Sequence, residues 1–268
     1  MRQFLAPSMP DDKGSLTLTG KDFKYLYQVL RLRKGDTIHV RLPSGQLQSM
    51  SVVTISGRCL TLSCCSGNKT LETGVKASEV EATRSSQQAP LWLFQFLPKA
   101  QKMDLILRQA TELGVTLVIP ILGLHCQKDA VHQRSERWQR IIREARQQSG
   151  SPVATEVAKP CTLEQAMALW NDAATQDSLG VVLYERSQGT KSFHQAMASP
   201  KISLASLVSG CEGGIAPEEI EMLKARGFIP VHLDTNILRA ETASIYGLAV
   251  LQNLLTERPQ WQLSESNF

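Results

Sequence analysis

Two segments in the C-terminal half of this 268-residue chain hold residue types that could do chemistry. The first is Ser209-Gly210-Cys211-Glu212-Gly213-Gly214. Its three glycines permit positive φ and let a flat or extended ligand lie directly against backbone, although a tight structural turn uses glycine in the same way. The spacing is not GxGxxG and no GKS or GKT follows, which argues against a dinucleotide fingerprint and a P-loop. The second runs from Leu233 to Ala243 and places Arg239 and Glu241 two residues apart at a helix start. A cation and a carboxylate there are the residue types of charge stabilisation and proton transfer. Equally, Glu241 could complement the helix N-terminus with Arg239 as its surface partner.

Both segments follow stretches that read as strands, at the carboxyl edge where open α/β sheets bind ligands. After Pro90, apolar runs alternate with amphipathic helices, the rhythm of a mostly parallel sheet covered on both faces. LWLFQF (91–96) reads as a strand, then a helix over 102–113 puts Met103, Ile106, Leu107 and Ala110 on one face before Gly114 stops it. VTLVIP is the next strand, and a helix over 135–148 carries a stripe of Trp138, Ile141, Ile142 and Ala145. Thr162 with Gln165 makes a capping box, LGVVLY (179–184) and ISLASLV (202–208) read as strands, and Pro217 opens a helix that Gly227 closes before FIPVHL. The final helix is expected from about 240 to 257.

The front of the chain has a different texture. Short β-rich runs between residues 15 and 62, separated by turn signals at Lys34-Gly35-Asp36, Pro43-Ser44-Gly45 and Ser56-Gly57-Arg58, predict a small β-barrel. One amphipathic helix is expected within it, with Phe23, Leu26, Tyr27 and Leu30 at helical spacing and Arg31, Arg33 and Lys34 at its end. Residues 66–89 have linker composition, which divides the chain into domains 1–74 and 75–268. The net charge of +4 is concentrated at the front: residues 1–72 carry ten Lys/Arg against five Asp/Glu, leaving nineteen against twenty for the remainder. A basic small domain suits RNA, whose phosphates release counterions when neutralised, and an ordinary solvated basic surface has the same composition.

Apolar residues at 42% and charged residues at 20% are globular values, and no apolar run is long enough to cross a bilayer. The opening MRQFLAPSMPDDKG lacks an apolar secretory core, so the expected address is cytoplasmic. Six cysteines at 59, 64, 65, 126, 161 and 211 show no CxxC spacing and five histidines are scattered, so reduced thiols and no metal are expected.

Taken together, GCEGG and ILRAETA, with Thr111-Glu112-Leu113-Gly114-Val115, Glu136-Arg137-Trp138 and Glu144-Ala145-Arg146-Gln147-Gln148-Ser149-Gly150, resemble the ribosomal small subunit methyltransferase E family. The resemblance also covers Arg2-Gln3-Phe4, VLRLRKGD and Lys102-Met103-Asp104, in family order over nearly the whole chain. It implies S-adenosylmethionine-dependent methylation of N3 of a uridine in 16S ribosomal RNA. It further implies a PUA-like barrel followed by a SPOUT-type α/β domain with a trefoil knot, working as a homodimer.

On that resemblance the donor would lie against Leu183, Glu185, Val208, Gly210, Gly213, Gly214, Leu233, Ile237, Leu238 and Thr242. Arg239 would stabilise negative charge on the uracil carbonyls, with Glu212 or Glu241 orienting it or relaying the N3 proton. Arg2, Arg31, Arg33 and Lys34 would hold RNA. The sequence departs from the family pattern at Cys211, where proline is usual, at Asp234, and at His125 and Ser151, where arginines are expected. Two other readings share these residues: a methyltransferase for a different RNA site, and a non-catalytic RNA-binding or assembly factor of the same fold.

Overall fold

The computed structural model describes residues 3–64, 89–126, 135–186, 189–197 and 201–265. Arg2 and the expected domain boundary between 74 and 75 lie outside the described residues. The chain divides into two units, Met1–Ser86 with Gln147–Pro152, and Gln87–Arg146 with Val153–Phe268.

In the first unit, Leu16 and Leu18 are buried while Thr17 and Thr19 between and after them are exposed, the period-two pattern of a strand with one dry face. Five strands result: β1 (Gln3–Leu5), β2 (Ser15–Thr19), β3 (Thr37–Arg41), β4 (Leu47–Ser56) and β5 (Cys59–Cys64). They form one mixed sheet in the order β1-β3-β4-β5-β2, with β1 parallel to β3 and the other pairs antiparallel. Phe4, Leu18, Leu26, Val40, Met50, Leu60 and Leu62 make its core.

The expected amphipathic helix is corrected in its form. A short helix α1 (Gly20–Lys24) widens into a π turn over Tyr25–Val29, where Leu30 N donates to Tyr25 O at 2.9 Å. The wider turn carries Tyr27 off the core side. It is 47% exposed, and its ring stacks on Phe23 at 5.3 Å. Arg31 then adopts φ 55, a left-handed conformation that ends the helical stretch and is uncommon for a residue other than glycine. Arg31, Arg33 and Lys34 are all exposed on the turn into β3, where Asp36 accepts the Arg33 N–H at 2.7 Å.

The second unit is an α/β sheet of six parallel strands. In chain order it comprises β6 (Leu91–Phe96), α2 (Ala100–Glu112), β7 (Leu117–Ile121), α3 (Ser135–Ser149), β8 (Glu156–Val157), α4 (Leu163–Ala173), β9 (Ser178–Leu183), α5 (Phe193–Ala196), β10 (Leu204–Ser209), α6 (Pro217–Ala225), β11 (Ile229–Val231) and α7 (Ala240–Glu265). The spatial order is β11-β9-β10-β6-β7-β8. Every residue of β10 is buried, as a central parallel strand covered on both faces requires. The Thr162 capping box forms as its residues dictate, with Gln165 N donating to Thr162 Oγ1 at 3.4 Å and Thr162 N to Gln165 Oε1 at 3.0 Å.

Strand insertion decides where ligands can bind. The chain fills β6, β7 and β8 on one side, crosses to β9, and then inserts β10 between β9 and β6. After β11 at the far edge, α7 returns to pack against β10, β6 and α2. That return is tight at Gly247, where a Cβ would lie 2.9 Å from Leu183 Cδ1 and 3.0 Å from Leu207 Cδ2.

Candidate active site

Because β11, β9 and β10 are neighbours and parallel, their carboxyl ends open at one edge, and the three loops leaving them enclose a cavity of about 400 Å³. From β9 come Leu183, Tyr184 and Glu185; from β10 come Gly210, Cys211, Glu212 and Gly214; from the segment after β11 come Leu233, Ile237, Leu238 and Arg239. The cavity thus gathers most of the residues expected to hold a donor. Val208 is fully buried in β10, Gly213 turns its back to the cavity, and Thr242 is exposed on the first turn of α7, so these three do not line it.

Glycine is structurally required in this loop. Gly214 has φ +74 and donates its N–H to Cys211 O at 3.0 Å, closing the turn. A Cβ on Gly213 would lie 2.9 Å from His125 Cβ, closer than side chains tolerate. Below the loop is a dry polar cluster. Ser244 Oγ lies 2.6 Å from Gln95 Oε1, 2.8 Å from Ser209 Oγ and 2.9 Å from Ala240 O, while Gln95 Nε2 donates to Phe96 O at 2.9 Å and to Gly210 O at 3.2 Å. Strands β6 and β10 and helix α7 are thereby joined under the cavity floor.

The charged side chains are arranged differently from the sequence expectation. Glu241 does not pair with Arg239 at the surface, nor does Glu212. Both carboxylates instead meet Lys102 of α2, whose Nζ lies 3.0 Å from Glu241 Oε2 and 3.3 Å from Glu212 Oε1. Glu212 Oε1 also accepts the Lys99 N–H at 3.2 Å. Glu241 Oε2 is buried and, apart from the ammonium, has no aligned hydrogen-bond donor. Burial pushes the Glu212 carboxyl up, but N–H groups of its own residue and Lys99, with the Lys102 ammonium, outweigh it and hold its pKa below the ordinary range. Burial opposes ionisation at Glu241 too. Its own N–H, Lys102 and the charge of Arg239 again leave it lowered. Lys102 is correspondingly raised, chiefly by its hydrogen bond to Glu241.

Lys102 therefore clips the glycine loop to the start of α7 and shares its single positive charge between two carboxylates beside the cavity. Arg239 is left exposed on the cavity wall, bonded to neither. Lys102 is not among the residues expected at the site, because only the adjacency of β6 and β10 brings α2 to that edge. Among the described residues no cluster of three or more His, Cys, Asp or Glu could hold a metal, and no helix is long and apolar enough to cross a membrane.

A family model described as an RNA methyltransferase domain matches residues 84–252. Ribosomal RNA small subunit methyltransferase E of Synechocystis sp. is 31% identical over 243 residues, covering 91% of this chain and 74% of that protein. This chain belongs to the ribosomal RNA small subunit methyltransferase E family. The Bacillus subtilis member is 28% identical over 256 residues, covering 90% and 91% of the two chains. The crystal structure of the Neisseria gonorrhoeae member bound to S-adenosyl methionine has the same fold, with a TM-score of 0.77 at 21% identity over 95% of this chain and 98% of that one.

Within the methyltransferase E family frame, the departures fall at distinct places. Cys211 is buried and sits in the cavity wall without breaking the loop, since its carbonyl still closes the turn to Gly214. Asp234 is exposed on the segment after β11. His125, where the family pattern has arginine, lies behind the glycine loop, its Cβ 2.9 Å from where a Cβ on Gly213 would sit.

Proposed function

We propose that this protein transfers a methyl group from S-adenosylmethionine to N3 of a uridine in 16S ribosomal RNA. The observation that carries the reading is the cavity at the joined ends of β9, β10 and β11, where exposed Arg239 stands beside the Lys102-clipped carboxylates. The cavity is of the size that small-ligand sites have, and its walls offer what an adenosyl ligand needs. Gly210 and Gly214 expose backbone, and Leu183, Leu233 and Leu238 supply apolar surface for a flat base. Added Cβ atoms would crowd this cradle: at Gly210 one would lie 3.2 Å from Gly214 C.

The donor, when bound, supplies a sulfonium-activated methyl group. The chain's residues hold the acceptor in line and favour loss of the N3 proton. Arg239, ion-paired with neither glutamate, can face negative charge developing on the uracil carbonyls. Glu212 and Glu241, kept ionised by Lys102, are the bases within the same charged cluster, and either can accept the N3 proton directly or through water.

The remaining assignments belong to this reading. The first unit would be a PUA-like barrel acting as an RNA-binding domain over 1–74, with the methyltransferase domain over 75–268. Arg2, Arg31, Arg33 and Lys34 would bind phosphates. The exposed positions of the last three after the π turn support that role. The resemblance would place a trefoil knot in the segments that insert β10 and lead into α7. Ile237, 98% exposed at the cavity rim, would be covered by a second copy in a cytoplasmic homodimer.

Calorimetric titration of S-adenosylmethionine, followed by a methylation assay on 16S RNA and on assembled small subunits, tests the proposal. Saturable binding with transfer to one uridine N3 supports it. Transfer to a different base would redirect the target, and folded protein that binds RNA but no donor would establish a non-catalytic factor.

A further inference from the structure

The π turn carries Tyr27 out of the core of the first unit, yet its ring is held. One face stacks on Phe23, with ring centroids 5.3 Å apart and planes 14° from parallel, and Phe23 is itself buried. Tyr27 is nevertheless half-exposed, so the ring presents its uncovered face to solvent. Val29, two positions on, is 67% exposed. Turns of this π type are rare and occur frequently at functional sites.

The chain beside the ring is basic and fixed. Between residues 20 and 34 stand Lys21, Lys24, Arg31, Arg33 and Lys34, with Asp22 as the one acid. All five cations are exposed. Arg31 takes its left-handed φ of 55, a strain that persists where the surrounding bonds over-determine it. Leu32 N donates to Leu26 O at 3.1 Å, the Asp36 carboxylate accepts the Arg33 N–H at 2.7 Å, and Asp36 N donates to Arg33 O at 3.0 Å. The ring and the backbone that carries the cations are thus set before any ligand arrives, which spares part of the ordering cost of binding.

We propose that Tyr27 is a stacking platform for one unpaired RNA base, with Arg31, Arg33 and Lys34 neutralising phosphates of the same strand. The proposal rests on the reading of the first unit as an RNA-binding domain and adds what that unit recognises, single-stranded nucleotides rather than duplex. A base inside an A-form helix is stacked between its neighbours, whereas a splayed base offers a whole π face to an aromatic side chain. Every base has such a face, so the contact selects strandedness and not sequence. Charge decides the occupant. An apolar protein face would leave five cations beside the ring without counter-charge, while a nucleic acid supplies one at each phosphate.

The test measures binding of the full-length protein, by fluorescence anisotropy, to oligouridine, to the same oligomer with abasic riboses, and to a fully paired RNA duplex. Tyr27→Ala should weaken oligouridine binding about ten-fold, the scale of one lost base stack, with Tyr27→Phe and Tyr27→Trp close to wild type. The loss should be a parallel shift, because stacking releases no counterions and leaves the slope of log affinity against log salt unchanged. On the abasic oligomer and the duplex, Tyr27→Ala should match wild type, a pattern that general damage to the unit would not give. Ultraviolet crosslinking of the wild-type protein to oligouridine, which depends on no variant folding, should place the nucleotide adduct on Tyr27. Equal losses on all three probes, Tyr27→Phe as weak as Tyr27→Ala, or crosslinks confined to other residues would overturn the stack. So would a change of oligomeric state in Tyr27→Ala by light scattering, which would give the ring to a second copy. If Tyr27→Ala is silent while joint replacement of Arg31, Arg33 and Lys34 flattens the salt slope, the stack falls and the RNA-binding reading stands. If both are silent, that reading falls with it.

Discussion

Ser244 Oγ lies 2.6 Å from Gln95 Oε1, so one buried hydrogen bond joins the second turn of the final helix to the strand that opens the α/β sheet. Ser244, Gln95 and Ser209 are all 0% exposed. Removing the hydroxyl strands a dry amide oxygen, which costs about 1–3 kcal/mol. Ser244→Val should lower the unfolding free energy by that amount in urea titration. A loss below about 0.5 kcal/mol, the scale of an ordinary surface change, would mean the cluster contributes little.

Lys102→Met should leave Glu212 and Glu241 facing each other without their shared cation. The carboxylates would separate or take up a proton, and the glycine loop would lose its tie to α7. Donor affinity is expected to fall roughly ten-fold, the scale of removing a supporting side chain, with partial rescue by Lys102→Arg. Calorimetry of the three proteins checks this. Equal affinities would restrict Lys102 to a structural role.

Arg239→Ala should separate binding from chemistry. Arg239 is exposed and carries no structural ion pair with Glu212 or Glu241, so the variant should fold and bind donor normally. Turnover should fall by about 10²–10³, the loss typical of removing one charge-stabilising group. Single-turnover methylation measures it, and an unchanged rate would remove Arg239 from the chemistry.

Acid should weaken the domain through the two glutamates. Their folded pKa values are lowered, so their contribution is complete above the ordinary carboxylate range and disappears as pH falls through the folded values. The raised Lys102 adds a contribution that is lost only as pH rises beyond the ordinary lysine range. Thermal melts should show wild type more stable than Glu212→Gln/Glu241→Gln at neutral pH, the gap closing as pH falls below the ordinary carboxylate range and through the lowered folded values. Parallel curves across the range would contradict the assignment.

Replacing Arg31, Arg33 and Lys34 together with alanine should weaken RNA binding uniformly across sequences. It should also flatten the dependence of log affinity on log salt by about 0.7 for each single-strand phosphate that is no longer neutralised. Filter binding at several salt concentrations reads both effects. An unchanged slope would place the RNA elsewhere.

The sequence by itself determined what depends on neighbours along the chain. A β-rich run bounded by turn signals marked β2. The stripe at Trp138, Ile141, Ile142 and Ala145 marked α3. The capping box at Thr162, Pro217 at a helix start, and the glycines of the loop after β10 acted within a few residues of themselves. Local signals were insufficient where the turn geometry changed: the π widening at Tyr25–Val29 moved Tyr27 out of the core although its spacing suited a regular helix.

Only the tertiary structure decided which segments meet. The insertion of β10 between β9 and β6 sets Lys102 against Glu212 and Glu241 and brings Gln95 under Ser244. Each of these pairs is far apart in sequence, and no periodicity or spacing encodes strand order in a parallel sheet. The alternative in which Glu241 pairs with Arg239 at the surface fails for the same reason. A cation two residues away competes with one delivered by another helix, and the delivered ammonium reaches both carboxylates at once.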